Sequence, residues 1–460
     1  MNRSSLLFLL LAVSPTFAQG PLTPDGEPQP TMKTLHQVEP RKAIAGGTDA
    51  ITINTSGSYY LTGDLTVSSG DGITIAAGNV TLDLNGFTVS STSAEPAGNA
   101  ITLGDSLLAV TIRNGNLGGG FASGVRYVQG GDDPDAPYSV RVSDLMVSRV
   151  TVAAIDLGNP SQCGQVERCS VFSHGAPVGI VATIVRDCTV GGAGITASIV
   201  RDCHVTGPGT GGIVADVVDR CVVFLYNGGI GIDARCVSNS RAGGSSDNDV
   251  VSAGVAHNVW ADGDGNSGTA LKATVAGNSV GRKIGAAPSD IGKGVSATVV
   301  DASVGLAVGG AGIDGQVVTA SHGSAVSQHG IFATQGVVSH SLAASGTGSA
   351  LLTTQGVVTG SVGRTTTGLV GIDNNNGVVS ASRGSGADYG INTHDYKGCV
   401  SNSVGRGADF TGILSGLITG SEGIGADYGI GGLLIHGSFG WANGPPPTDD
   451  IFGLFKFDSN

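Results

Sequence analysis

Residues 185–221 read VRDCTVGGAGITASIVRDCHVTGPGTGGIVADVVDRC, which says nearly the same thing three times. Cys188, Cys203 and Cys221 each follow a charged pair and precede a Val two residues on. Between them stand Ile195 and Ile213, members of a second column of apolar positions. That column runs through fourteen units from Ile180 to Ile430, at spacings of 15 to 24 residues. The cysteine column, begun at Cys169, continues as serine at Ser240, Ser279, Ser303, Ser321, Ser341, Ser361, Ser382, Ser403, Ser421 and Ser438, with Val259 filling one gap.

Each unit carries two or three apolar stretches of three to five residues, broken by Gly, Ser, Asn and Asp. Such stretches suit strands and are too short for helices. A unit this small cannot bury its own apolar face, but stacking on its neighbours lets it do so. One unit per coil places equivalent residues above one another at about 4.8 Å. In RDCTV, strand alternation turns Cys188 and Val190 inward and Thr189 outward, with Arg186 and Asp187 at the preceding bend. The cysteines then fill the core as inert thiols, since stacked parallel rungs hold their Cβ atoms too far apart for a relaxed disulfide.

Composition supports a solenoid over several globular domains. The chain of 460 residues has 78 glycines, 5% aromatic residues and 13% charged residues. Side chains this small do not readily fill a globular core, and Gly permits the positive φ that sharp corners need. The formal net charge of −13 argues against nucleic acid as partner and suits cation binding.

MNRSSLLFLLLAVSPTFAQG at the start has a basic residue, Arg3, an apolar run from Leu6 to Val13, and a small-residue cleavage site before Gln19. This reads as a signal peptide. No later segment reaches about 18 apolar residues, so no transmembrane anchor is expected. The protein is expected to be exported, periplasmic or extracellular, and monomeric. The expected organisation is a signal peptide at 1–18, a flexible leader at 19–31, a capping helix and entry at 32–47, the solenoid at 48–442, and a Pro-rich linker with a capping tail at 443–460. The helix is read from TMKTLHQVEP, and the tail, holding Phe452, Leu454, Phe455 and Phe457, is expected to fold back over the last coil.

The segment GSYYLTGDLTVSSGDGITIAAGNVTLDLNGFTVSS, Gly57 to Ser91, followed by VTIRNGNL at Val110 to Leu117, resembles the exported right-handed parallel β-helix repeat proteins of bacteria, within the pectin-lyase-like superfamily. The leader MKTLHQVEPR is similar to theirs. The resemblance implies an all-β, right-handed parallel β-helix with a short N-terminal capping helix. It implies little about activity, because such a superfamily holds lyases, hydrolases and binding proteins alike. The Asn-Thr-Asp, Gly-His-Gly and Arg-Ile-Lys motifs of its polygalacturonases do not occur here.

Two stretches carry candidate chemistry. DGDGNSG alternates Asp262, Asp264 and Asn266 like the start of a calcium loop but lacks a terminal Glu, so a plain turn is the competing reading. GADYG, GADFTG and GADYG place Asp388, Asp409 and Asp427 in one expected column and Tyr389, Phe410 and Tyr428 in the next, with His394 and Tyr396 in the intervening insertion THDYKG. Stacked aromatics beside carboxylates suit a sugar-binding platform, and equally a structural corner. Two functions stay open: a non-catalytic structural or polysaccharide-binding protein, and a calcium-assisted polyuronide lyase.

Overall fold

The chain divides into Met1–Lys42 and Ala43–Asn460, and the second unit is a parallel β-solenoid of about 18 turns. The computed structural model describes residues 40–457 apart from 106, 129–138, 159–162, 173–177, 208–210, 227, 246, 286–290, 395 and 445–448. Among the described residues there is no helix. The expected capping helix and signal peptide fall outside them.

One coil shows the plan. Ile331–Ala333 lies on face A, Val337–Ser339 on face B and Leu342–Ser345 on face C. Each strand pairs in parallel with its counterpart one coil on: Ile331 with Leu351, Val337 with Val357, Leu342 with Val362. In coils such as Ile313–Thr319, faces A and B are one bent strand. The isoleucine column holds throughout, with Ile180 over Ile195, Ile195 over Ile213 and so on to Ile413 over Ile430. Ile73 and Ile101 extend it upstream. Its members are essentially inaccessible to solvent, and burying each such side chain stabilises by about 1.5–3 kcal/mol.

The cysteine and serine column does more than fill space. It stands just past the corner between faces B and C, where the backbone cannot complete its ladder. There the Ser321 hydroxyl donates to the Thr319 carbonyl at 2.6 Å and accepts the N–H of Ser303, one coil earlier, at 3.1 Å. The same pair of bonds recurs from Ser279 to Ser438. The cysteine thiols donate likewise, Cys188 to the Arg186 carbonyl at 3.2 Å and Cys203 to that of Arg201 at 3.1 Å. Small residues with both a donor and an acceptor therefore suit this column, in which Val259 is the exception. All seven cysteines are free thiols.

The residue before each rung of that column adopts positive φ, as at Asp187 (54°), Arg220 (52°), Ala302 (46°), His340 (49°) and Asn402 (47°). This left-handed corner repeats along the molecule. Its side chains point to water and form a polar ladder: Arg168 pairs with Asp144 at 2.8 Å, Arg220 with Asp202 at 2.7 Å, and Asn258 donates to Asn239 at 2.7 Å.

The C-terminal tail lies against the last coil as a strand. Asp449–Phe457 pairs in parallel with Tyr428–His436, Ile451 against Ile430, and so adds one more rung. The continued isoleucine spacing explains this, since Ile451 enters the column that every earlier coil fills.

Candidate functional site

The GAD repeats stand at the corner between faces C and A, and they are not equivalent. GADFTG has one residue more than GADYG, and the structure places Thr411 in register with both Tyr389 and Tyr428. Phe410 is thus the extra residue of its turn. Its ring still stacks on Tyr389, centroids 6.2 Å apart at 17°. Tyr428 sits one coil on, with its N–H and that of Asp427 both directed to the Phe410 carbonyl. Asp388 is half-buried, whereas Asp409 and Asp427 are exposed.

His394 and Tyr396 lie at the opposite end of the strand Tyr389–Asn392, about 10 Å away along it. Both have positive φ. His394 Nε2 is 2.5 Å from Asp373 Oδ1 on the previous coil, and its N–H bonds Asn392 Oδ1 at 3.0 Å. The two halves of the sequence-derived cluster therefore occupy different corners.

Of DGDGNSG, Asp262 and Asp264 line one cleft with Arg282, and Asn266 is not part of its lining. Asp262 points outward on face C and pairs with Arg282 at 3.6 Å. Asp264 is exposed in the turn, and Asn266 is held through its N–H by Asp247 Oδ1 at 2.7 Å. Inside this turn lies Lys283, only 1% exposed, donating to the Asn248 carbonyl at 3.4 Å. Burial pushes its ammonium below the usual lysine range, while Asp247, Asp249 and Asp264 act in the opposite sense. Among the described residues, no three His, Cys, Asp or Glu side chains gather as a metal-holding group.

A cluster that the sequence did not disclose lies on face C, over four consecutive rungs. Val222, Arg241, Trp260 and Val280 form one outward column, and Phe224, Gly243, Asp262 and Arg282 the next. The Arg241 guanidinium sits between two rings, 5.5 Å from the centroid of Phe224 and 5.7 Å from that of Trp260. Gly243 makes room for this, since a Cβ there would lie 3.1 Å from Phe224 Cε1. Two clefts occupy these rungs. One of about 290 Å³ is lined by Arg220, Asn239, Asn258 and Trp260, and one of about 340 Å³ by Phe224, Asp262, Asp264 and Arg282. Such a sandwich sets a half-buried Phe224 ring and an exposed Trp260 ring beside a fixed cation, a pairing worth about 0.5–1 kcal/mol per cation–π contact at the surface.

The face continues in the same character. Both tryptophans of the chain, Trp260 and Trp441, are on it, 42% and 59% exposed. It also carries Arg364, Arg383 and Arg406 on three successive rungs, against which Glu422 is the neighbouring acid. A cationic, aromatic face on a chain of net charge −13 is a local reversal of the overall field. No family model, curated protein or solved structure matches this chain.

Proposed function

We propose that this is an exported, non-catalytic solenoid that binds polysaccharide along face C. The observation that carries the reading is Arg241 held between the half-buried ring of Phe224 and the exposed ring of Trp260. Aromatic rings stack on the apolar faces of sugars, and a guanidinium takes a carboxylate or sulfate through paired hydrogen bonds. The repeating rungs present these groups along a line, which suits a polymer better than a small molecule. The arginines further along the face favour an acidic chain. The resemblance of residues 57–117 to pectin-lyase-like β-helix proteins is consistent with an envelope or extracellular glycan as the partner.

The test is affinity electrophoresis of the purified protein through gels containing polygalacturonate, alginate or a neutral glucan, with and without calcium. Retardation by the acidic polymers, reduced in Trp260→Ala and Arg241→Ala, is expected. Mass spectrometry of the polymers afterwards is expected to find them intact. Chain fragments appearing with calcium would replace this reading by a calcium-assisted lyase.

A further inference from the structure

Face B carries a second unexplained feature, independent of the glycan reading. One outward column is aliphatic or cysteine over fourteen consecutive rungs, from Ile184 to Leu434. Upstream, the same column is polar, at Arg141 and Gln165. Its central valines are open to solvent: Val255 46%, Val317 37%, Val337 41%, Val357 41% and Val378 41% exposed. The column beside it holds Thr319, Ser339, Thr359, Ser380, Ser401, Thr419 and His436 over the C-terminal half, with no Asp, Glu, Lys or Arg. Arg186, Arg201, Asp219 and Asp301 are confined to the N-terminal half.

Fourteen rungs at about 4.8 Å run roughly 60 Å, and two columns about 7 Å apart sweep about 13 Å, which gives roughly 800 Å². About half of that area is the aliphatic column, a patch of the size that marks interaction sites on monomers, about 300–600 Å². About 800 Å² is what one partner contributes to a standard stable interface. We infer that face B is the surface on which two copies of this chain associate, antiparallel and face to face.

The occupant follows from period and charge. A flat ladder repeating at every rung is matched in period by a second copy of itself. A two-fold axis in the plane of the face and perpendicular to the solenoid lays valine column on valine column with the rung order reversed. Each charged rung of the N-terminal half then meets a hydroxyl or His rung of the partner, Asp301 facing the Thr319 region and Arg201 the Thr419 region. A parallel arrangement lacks this match, because a two-fold axis along the solenoid reverses the order of the two columns and lays the charged column of each copy over the valines of the other.

Sedimentation velocity tests this directly. The purified protein at tens of micromolar is expected to sediment as a dimer, and the variant V337K/V357K as a monomer with an unchanged far-UV circular dichroism spectrum. Both substituted side chains point outward, so the coil itself loses no core contact. Should the lysine variant fail to fold, V337T/V357T keeps the β-branched shape and is expected to raise the dimer dissociation constant by about tenfold or more. A wild-type monomer at these concentrations would overturn the inference. So would a dimer that the folded substitutions leave unchanged.

Discussion

The serine column makes a sharp demand on Ser321. Its hydroxyl is the acceptor for the Ser303 N–H at 3.1 Å and a donor to the Thr319 carbonyl at 2.6 Å. In Ser321→Ala the carbonyl keeps a partner, because it also accepts from the Ala302 N–H at 3.1 Å. The Ser303 N–H loses its acceptor inside a coil whose serines are 1–3% exposed. Leaving such a buried donor unmade costs about 1–3 kcal/mol, so a loss of about 2 kcal/mol is expected. Ser321→Cys restores the donor and acceptor already used at Cys188 and Cys203, and its cost should stay below about 1 kcal/mol. Ser339→Ala, facing outward on the face B strand one coil on, should fall within about 0.5 kcal/mol of the parent. Urea unfolding followed by circular dichroism ranks the three, and comparing midpoints avoids assuming that a long stack unfolds in one step. If Ser321→Ala matched the parent, or Ser321→Cys did as much damage as Ser321→Ala, the hydrogen-bonded column would be wrong.

Three further outcomes are expected. Ala302, at φ 46°, should tolerate Gly but lose about 1–3 kcal/mol as Val, because a β-branched side chain is strained there; equal midpoints for the two variants would contradict the left-handed corner. In dilute protein, a thiol reagent should modify Cys163, Cys236 and Cys399 in the folded state and the four column thiols only on unfolding, because Cys169, Cys188, Cys203 and Cys221 are no more than 2% exposed. Dimerisation should shield Cys236 and Cys399 on face B, and rapid reaction of every thiol would refute the buried column. Acid should weaken the corner ladder. The carboxyls of Asp144, Asp202 and Asp219 are held below their ordinary 3.8, chiefly by hydrogen bonds from Arg168, Arg220 and Asn239 respectively. A carboxyl whose folded pKa lies below its unfolded one stabilises fully above the unfolded value and less as pH falls through the folded one. Melting temperature should therefore drop from about pH 5 downward, less steeply in R168A/R220A, and a flat profile would remove the ladder's role.

The coil plan was legible because inward positions are constrained by what they touch. An isoleucine at Ile331 packs against Leu351 above it, so its spacing survives in the sequence. The cysteine-to-serine change was visible as a small-residue column, but the hydrogen bonds that require it were not, since they depend on the left-handed corner just before it. That corner accepts Asn and Gly, which announce themselves, and also Arg168, Arg220 and His340, which do not. The three GAD motifs looked alike, yet one extra residue shifted Phe410 out of the column. Outward positions carry no such constraint, so Phe224, Arg241 and Trp260 had no motif to mark them. Counting one residue past Cys221, Ser240 and Val259 does reach Val222, Arg241 and Trp260, which is the signal that could have found the cluster. The valine ladder of face B could be reached the same way, by stepping back from the serine column, but its exposure could be known only once inside and outside were assigned.

Both tryptophans report from face C, so fluorescence tests the proposed binding face most directly. In Trp441→Phe, Trp260 becomes the sole reporter, beside Arg241. Titration with polygalacturonate or alginate is expected to give a saturable blue shift that Arg241→Ala abolishes. A flat titration with every acidic and neutral polymer tried would contradict the account.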